Sequence, residues 1–230
     1  MNLILFESIL FSVIFLIICN WFQIRSFLKL VIGPKIKTEI LKDDWINSVV
    51  KKKTGLNLKD ITLFKDQKMY GMMTGLGPLF LPRMILSEGL YKNLNKDELK
   101  WVILHEAGHC VLLHNLQSLI IELVFLTTGL YLISTQNINL FMIPVLSLVL
   151  SIISIQFIRR MTEYTADMYS ISRVDNPQGV ITAQDKFRKG YKGSIFSNEK
   201  SIIRFLFHWN IYPSQRIKMA RKRLLFNQTN

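Results

Sequence analysis

The stretch Asn95-Lys96-Asp97-Glu98-Leu99-Lys100-Trp101-Val102-Ile103-Leu104-His105-Glu106-Ala107-Gly108-His109-Cys110-Val111 decides how the chain is read. Asn95 and Glu98 stand three apart in front of an apolar run, the spacing of a capping box that satisfies two of a helix's open N–H groups. The box predicts a helix beginning there, with Leu99, Val102, Ile103, Leu104 and Val111 as its apolar surface. On such a helix His105 and His109 are i and i+4, so both imidazoles share a face and can reach one ion. The chain has four His, and two of them sit here. H-E-x-x-H is the pattern of a zinc site with a carboxylate beside it as general base. Glu106 is the candidate base, and Ala107 and Gly108 are small enough to let a neighbouring element or a substrate come close, or simply to pack.

Two His do not complete a catalytic zinc site, which ordinarily takes three protein ligands and leaves the fourth position open. Met161-Thr162-Glu163-Tyr164-Thr165-Ala166-Asp167 offers candidates: Glu163 and Asp167 are i and i+4 on a predicted helix and share a face. Glu163 could bind zinc, and Asp167 could accept a hydrogen bond from a ligating His and fix its tautomer. The alternative for Glu163 is a solvated carboxylate beside Arg159 and Arg160. His114 lies nine residues beyond His105, a spacing that points it away from the motif face, and it reads as an interfacial residue. His208, Asn210 and Tyr212 are each able to stabilise an oxyanion, with ordinary packing as the alternative.

Composition and charge set the surroundings. The chain has 230 residues, half of them hydrophobic, and a net charge of +13. No Lys or Arg occurs in 1–24 or in 101–158, and these are the most apolar zones. That distribution is the pattern of membrane spans separated by positive-inside segments, so the basic excess points to an anionic membrane surface and away from nucleic acid. The two Cys, Cys19 and Cys110, suggest no disulfide framework.

Residues 3–24 are almost wholly apolar, with Glu7 the only charge; 22 residues of helix reach about 33 Å, enough for a bilayer core. They read as a retained anchor, with the N-terminus outside and the basic segment after it in the cytoplasm. A second apolar zone after His114 divides at Ser134-Thr135-Gln136-Asn137 into spans of about 119–134 and 138–158, a hairpin ended by Arg159-Arg160. A buried hairpin in a soluble core is the alternative. Glu122 is costly in a span unless it lies near the interface or faces protein. Residues 36–54 read as an exposed helix stopped by Gly55. The segments 61–64 and 83–86 read as strands of a small sheet with hairpin loops, and 161–173, 178–189, 198–208 and 214–226 as helices.

With these residues in hand, the chain resembles the integral-membrane zinc metalloproteases that include HtpX and the CAAX-prenyl proteases. The resemblance covers about 60–220. It is carried by Met84-Ile85-Leu86-Ser87-Glu88-Gly89-Leu90, Asp97-Glu98-Leu99, the H-E-x-x-H run, and Glu163-Tyr164-Thr165-Ala166-Asp167 as an E-x-x-A-D element. Members of that family also place a membrane hairpin between the last two motifs. The resemblance implies a mainly helical α+β fold: a zincin-like metalloprotease core with a small β-sheet, one N-terminal transmembrane helix and an inserted transmembrane hairpin. The corresponding segments are 1–32 (anchor), 33–118 (first half of the catalytic domain), 119–158 (hairpin) and 159–230 (second half). It also implies one Zn2+ held by His105, His109 and Glu163, with Glu106 as base and Asp167 behind the ligands. The chain departs from the family in having one span before the catalytic domain, in Tyr70-Gly71-Met72-Met73-Thr74-Gly75, which keeps only the T-G of N-A-F-x-T-G, and in Tyr212-Pro213-Ser214-Gln215-Arg216-Ile217, where H-P is expected. Arg216 is a candidate ion-pair partner in the site. The expected activity is a membrane zinc metalloendopeptidase cutting membrane-associated proteins or precursor peptides at the cytoplasmic face. A protease-like sensor, a site-2-type intramembrane protease and a scaffold with an accidental motif are the rival readings.

Overall fold

The computed structural model describes residues 8–10, 12–14, 38–74, 81–135, 142–190 and 212–229. The chain divides into two units, Met1–Ile36 with Leu116–Arg159, and Lys37–Asn115 with Arg160–Asn230. The second unit carries β1 (Thr38–Ile40), α1 (Asp44–Thr54), β2 (Asp60–Phe64), β3 (Gly71–Thr74), β4 (Arg83–Ser87), α2 (Glu88–Asn93) and the motif helix α3 (Lys96–Val111). Two long helices follow, α4 (His114–Thr135) and α5 (Met142–Arg173), then α6 (Gln178–Gly190) and α7 (Pro213–Thr229).

The capping box forms as the sequence requires. Asn95 Oδ1 accepts from the Glu98 N–H at 3.0 Å, and Glu98 Oε2 accepts from the Asn95 N–H at 2.8 Å. Glu98 is buried, and Lys186 from α6 neutralises it at 2.6 Å. The helix is apolar nearly all round, so it is buried rather than amphipathic: Leu99, Trp101, Val102, Ile103, Leu104, Ala107 and Cys110 all lie in the core. It packs against β3, α1 and α6.

The sheet is mixed, in the order β1-β2-β4-β3. β4 is an interior strand, and Met84, Ile85 and Leu86 are buried to 2 % exposure or less, a continuous apolar run rather than an alternating one. β2 and β4 are parallel, with Thr62 opposite Ile85; β3 pairs antiparallel with β4 and forms an edge. The expected strands are present: β3 and β4 are consecutive antiparallel neighbours, while β2 joins β4 in parallel. The parallel pairing places β3 at the edge beside the motif helix.

The reading of 36–54 as one exposed helix is corrected. Residues 38–40 form β1, pairing with β2, and the helix starts only after Asp43, whose carboxylate caps the N–H groups of Trp45 and Ile46 at 3.0 and 3.2 Å. Ile46 and Val50 are fully buried. Gly55 ends the helix as expected, at φ +77°, a conformation that favours glycine.

His114–Leu132 within α4 is long and apolar enough to cross a membrane, and it alone qualifies among the described residues. Leu116, Leu119, Ile120, Ile121, Val124, Phe125 and Leu132 on it are exposed, unlike the side chains of a soluble protein's core helix. Glu122 is buried at 7 % exposure, so it is turned toward protein. α5 runs unbroken through Arg159 and Arg160 to Arg173, where two separate elements were expected. Most of the anchor at 3–24, and the turn at 136–137, lie outside the described residues.

Candidate metal centre

Four elements of the second unit meet at the motif. α3 supplies His105, Glu106 and His109, the later part of α5 supplies Glu163 and Asp167, α7 supplies Arg216, and β3 runs past Glu106. α3 and α5 approach through small residues. A Cβ on Gly108 would meet the Tyr169 ring at 3.1 Å and the Ala166 backbone at 3.5 Å, and Ala107 and Ala166 are completely buried. Gly108 is small because a helix lies against it.

That approach brings three ligand atoms together. His105 Nε2 and His109 Nε2 are 3.2 Å apart, and the two oxygens of Glu163 lie 3.4 Å from one and the other. All three groups fall within 4.8 Å of one another. Ligands about 2.0–2.1 Å from a tetrahedral zinc sit about 3.3 Å from each other. The His–His separation matches that spacing, the carboxylate puts one oxygen beside each ring, and the donors are the right ones, two imidazoles and a carboxylate.

The match extends to known proteins. The family model described as Peptidase family M48 matches residues 41–206, more than half of the chain. The chain belongs to peptidase family M48. Members are zinc-dependent metallopeptidases, and the resemblance drawn from H-E-x-x-H and E-x-x-A-D holds. The crystal structure of Ste24p from S. mikatae superposes with a TM-score of 0.63 at 17% identity, covering 88% of this chain and 57% of that one. The M48 chain thus spans little more than half the length of that structure, with which it shares its fold. Curated protein sequences give no match.

Charge in this M48 site is arranged in pairs. Asp167 is fully buried, with one oxygen 2.8 Å from His105 Nδ1 and the other accepting from Arg216 Nε at 2.6 Å. Arg216 also donates to Glu163 at 3.1 Å and lies over the Trp101 ring, 5.6 Å from its centroid. Burial alone would lower the His105 pKa, but the carboxylates of Asp167 and Glu163 override it and raise it to about 10. Burial opposes ionisation of Glu163 as well, yet the two His hold its carboxyl well below the usual range. Glu106 is pushed the other way: burial raises it, and the nearby His105 and His109 only partly pull it back. The two carboxylates thus favour positive charge beside His105, a role that a divalent cation would fill.

The remaining candidates are placed as follows. Tyr212 is half-buried at the start of α7, where its carbonyl accepts from the N–H groups of Gln215 and Arg216 at 2.9 and 3.2 Å. His208 and Asn210 lie outside the described residues. His114 departs from expectation: it is buried, and its ring packs on His109 with centroids 4.9 Å apart. The periodicity argument failed because the helix does not continue. α3 ends at Val111, and Leu113 adopts φ +56°, which turns the chain and swings His114 back onto the motif.

Proposed function

We propose that this M48 chain is a membrane-anchored zinc metalloendopeptidase that cuts membrane-associated proteins or precursor peptides at the cytoplasmic face. The His105–His109–Glu163 triangle with Glu106 on the same helix carries the reading. His105, His109 and Glu163 would hold one Zn2+, which would supply Lewis-acid activation of the attacking water and of the scissile carbonyl. Glu106 takes the proton from that water on its carboxylate and passes it to the leaving amine. A buried carboxyl with a raised pKa suits both halves of that transfer better than a solvated one. Arg216 and Asp167 keep Glu163 and His105 oriented.

β3 supplies the place for the substrate. It is the sheet edge, and a Cβ on Gly71 would lie 3.7 Å from Glu106 Cγ. An extended peptide pairing along that edge would present its backbone beside the base. The apolar exposed face of α4 and the absence of Lys and Arg from 101–158 support a membrane location, and the basic segments on either side support the cytoplasmic orientation.

Comparative mass spectrometry of cells carrying wild type and Glu106→Gln tests the reading and finds the substrates. Cleavage products present only with wild type are expected, with peptidase activity in the variant lowered about 10²- to 10⁴-fold. Identical peptide profiles would refute it.

A further inference from the structure

We infer that His114 and Thr165 form a positioning relay that fixes the tautomer of His109 and aims its bare Nε2 into the metal centre. The inference rests on His105, His109 and Glu163 being the metal-binding set. His114 Nδ1 lies 2.9 Å from His109 Nδ1, and His114 Nε2 lies 2.9 Å from Thr165 Oγ1. Thr165 Oγ1 lies 2.9 Å from the Met161 carbonyl and 3.0 Å from that of Thr162.

The proton positions follow from the outer end inward. The Thr165 hydroxyl has one proton, and the helix carbonyls of Met161 and Thr162 take it. Toward His114 the hydroxyl oxygen is therefore an acceptor, so the proton of neutral His114 is on Nε2. His114 Nδ1 is then a bare acceptor, and the His109 nitrogen facing it must carry its proton on Nδ1. That leaves the lone pair of His109 on Nε2, the atom that faces His105 and Glu163. The same assignment is reached from the inner end, because a ligating imidazole presents an unprotonated nitrogen to its metal. The outer end and a metal-binding role for His109 thus lead to the same assignment.

The geometry is not incidental to helix packing. It goes with Leu113 at φ +56°, a left-handed conformation that is unfavourable for a residue with a β-carbon. It also requires burial of His114, at 4 % exposure. His105 and His109 are thus supported differently. His105 leans on the anionic Asp167, itself tied to Arg216, whereas His109 leans on an uncharged ring. The relay holds His109 by direction, whereas Asp167 and Arg216 hold His105 by charge.

Zinc affinity measured by chelator competition on the purified full chain tests this, together with the visible spectrum of the Co2+-loaded protein. His114→Leu, which has no acceptor, is expected to weaken zinc binding about 10- to 100-fold and to shift the Co2+ bands. His114→Asn, whose Oδ1 can take the place of Nδ1, is expected to restore most of the affinity and the wild-type spectrum. Thr165→Val, on the exposed side of α5, is expected to give a smaller loss and covers the case in which His114→Leu does not fold. Wild-type affinity in His114→Leu, or in Thr165→Val where His114→Leu does not fold, would overturn the relay, as would His114→Asn binding as weakly as His114→Leu. A wild-type chain that binds no zinc would instead overturn the metal centre itself, and the relay with it.

Discussion

Asp167 shows how a single residue sets the character of the site. It is completely buried, touches His105 and is paired with Arg216, so its charge is fully used inside the protein. Asp167→Asn keeps the shape and removes that charge. Zinc affinity by chelator competition is expected to fall about 10- to 100-fold, and an unchanged affinity would show that His105 needs no such support. The residues of the triangle were legible in the sequence because each rests on i, i+4 spacing within one uninterrupted helix: His105 with His109, Glu163 with Asp167. His114 was not, because its position depends on a left-handed residue at Leu113. Leucine carries no sequence signal for that conformation, whereas Gly55, also at positive φ, was recognised as a helix stop at once. The recurrence of His five residues after the motif is the one feature that could have raised the question. A helix break between two His on an otherwise continuous apolar run resolves it.

At the scale of elements, the start of α3 and the contact between α3 and α5 are separable. Asn95→Ala removes the cap and its reciprocal bond with Glu98 but leaves the metal ligands in place. It is expected to cost about 1 kcal/mol of stability, read as a lower melting temperature, with peptidase activity retained at temperatures where the protein is folded. Gly108→Val has the opposite signature. Its side chain would press on Tyr169 and the Ala166 backbone, so α5 must shift, and Glu163 with it. A loss of about 1–3 kcal/mol is expected together with weaker zinc binding; a stability loss with intact zinc affinity would show that the helix contact does not set the ligand geometry. Helices with caps and strong apolar runs were read correctly, since capping and burial are local. The sequence offered no signal for the parallel pairing of β2 with β4, because that pairing is a long-range choice. Ile36 and Ile40 matched a helical spacing, yet pairing with β2 put residues 38–40 in a strand.

For the whole molecule, charge and metal both couple to folding. Asp175, after α5, accepts from Lys100 of α3 at 2.8 Å and pairs with Lys53 of α1, and these bonds lower its pKa to about 2. A carboxylate with a depressed folded pKa contributes stability above its unfolded value, near 3.9, and loses it as pH falls toward 2. Asp175→Asn is therefore expected to melt below wild type at pH 7, by a modest amount because the group is exposed, with the gap closing near pH 2; a gap independent of pH would contradict the pairing. The basic and Lys/Arg-free zones were plain in the sequence, and α4 fits a span. The second span was expected to end at Arg159-Arg160, and the helix itself continues to Arg173. Reporter fusions after Asn230 are expected to read cytoplasmic, and in the 134–137 turn external, with the reverse pattern overturning the orientation. The central claim, a single zinc at His105, His109 and Glu163 driving peptide hydrolysis, is met most directly by measuring zinc per chain and peptide cleavage on the same preparations of wild type and Glu106→Gln. One zinc in both, with cleavage only in wild type, is the predicted result. A zinc-free wild type, or undiminished cleavage by Glu106→Gln, would contradict it.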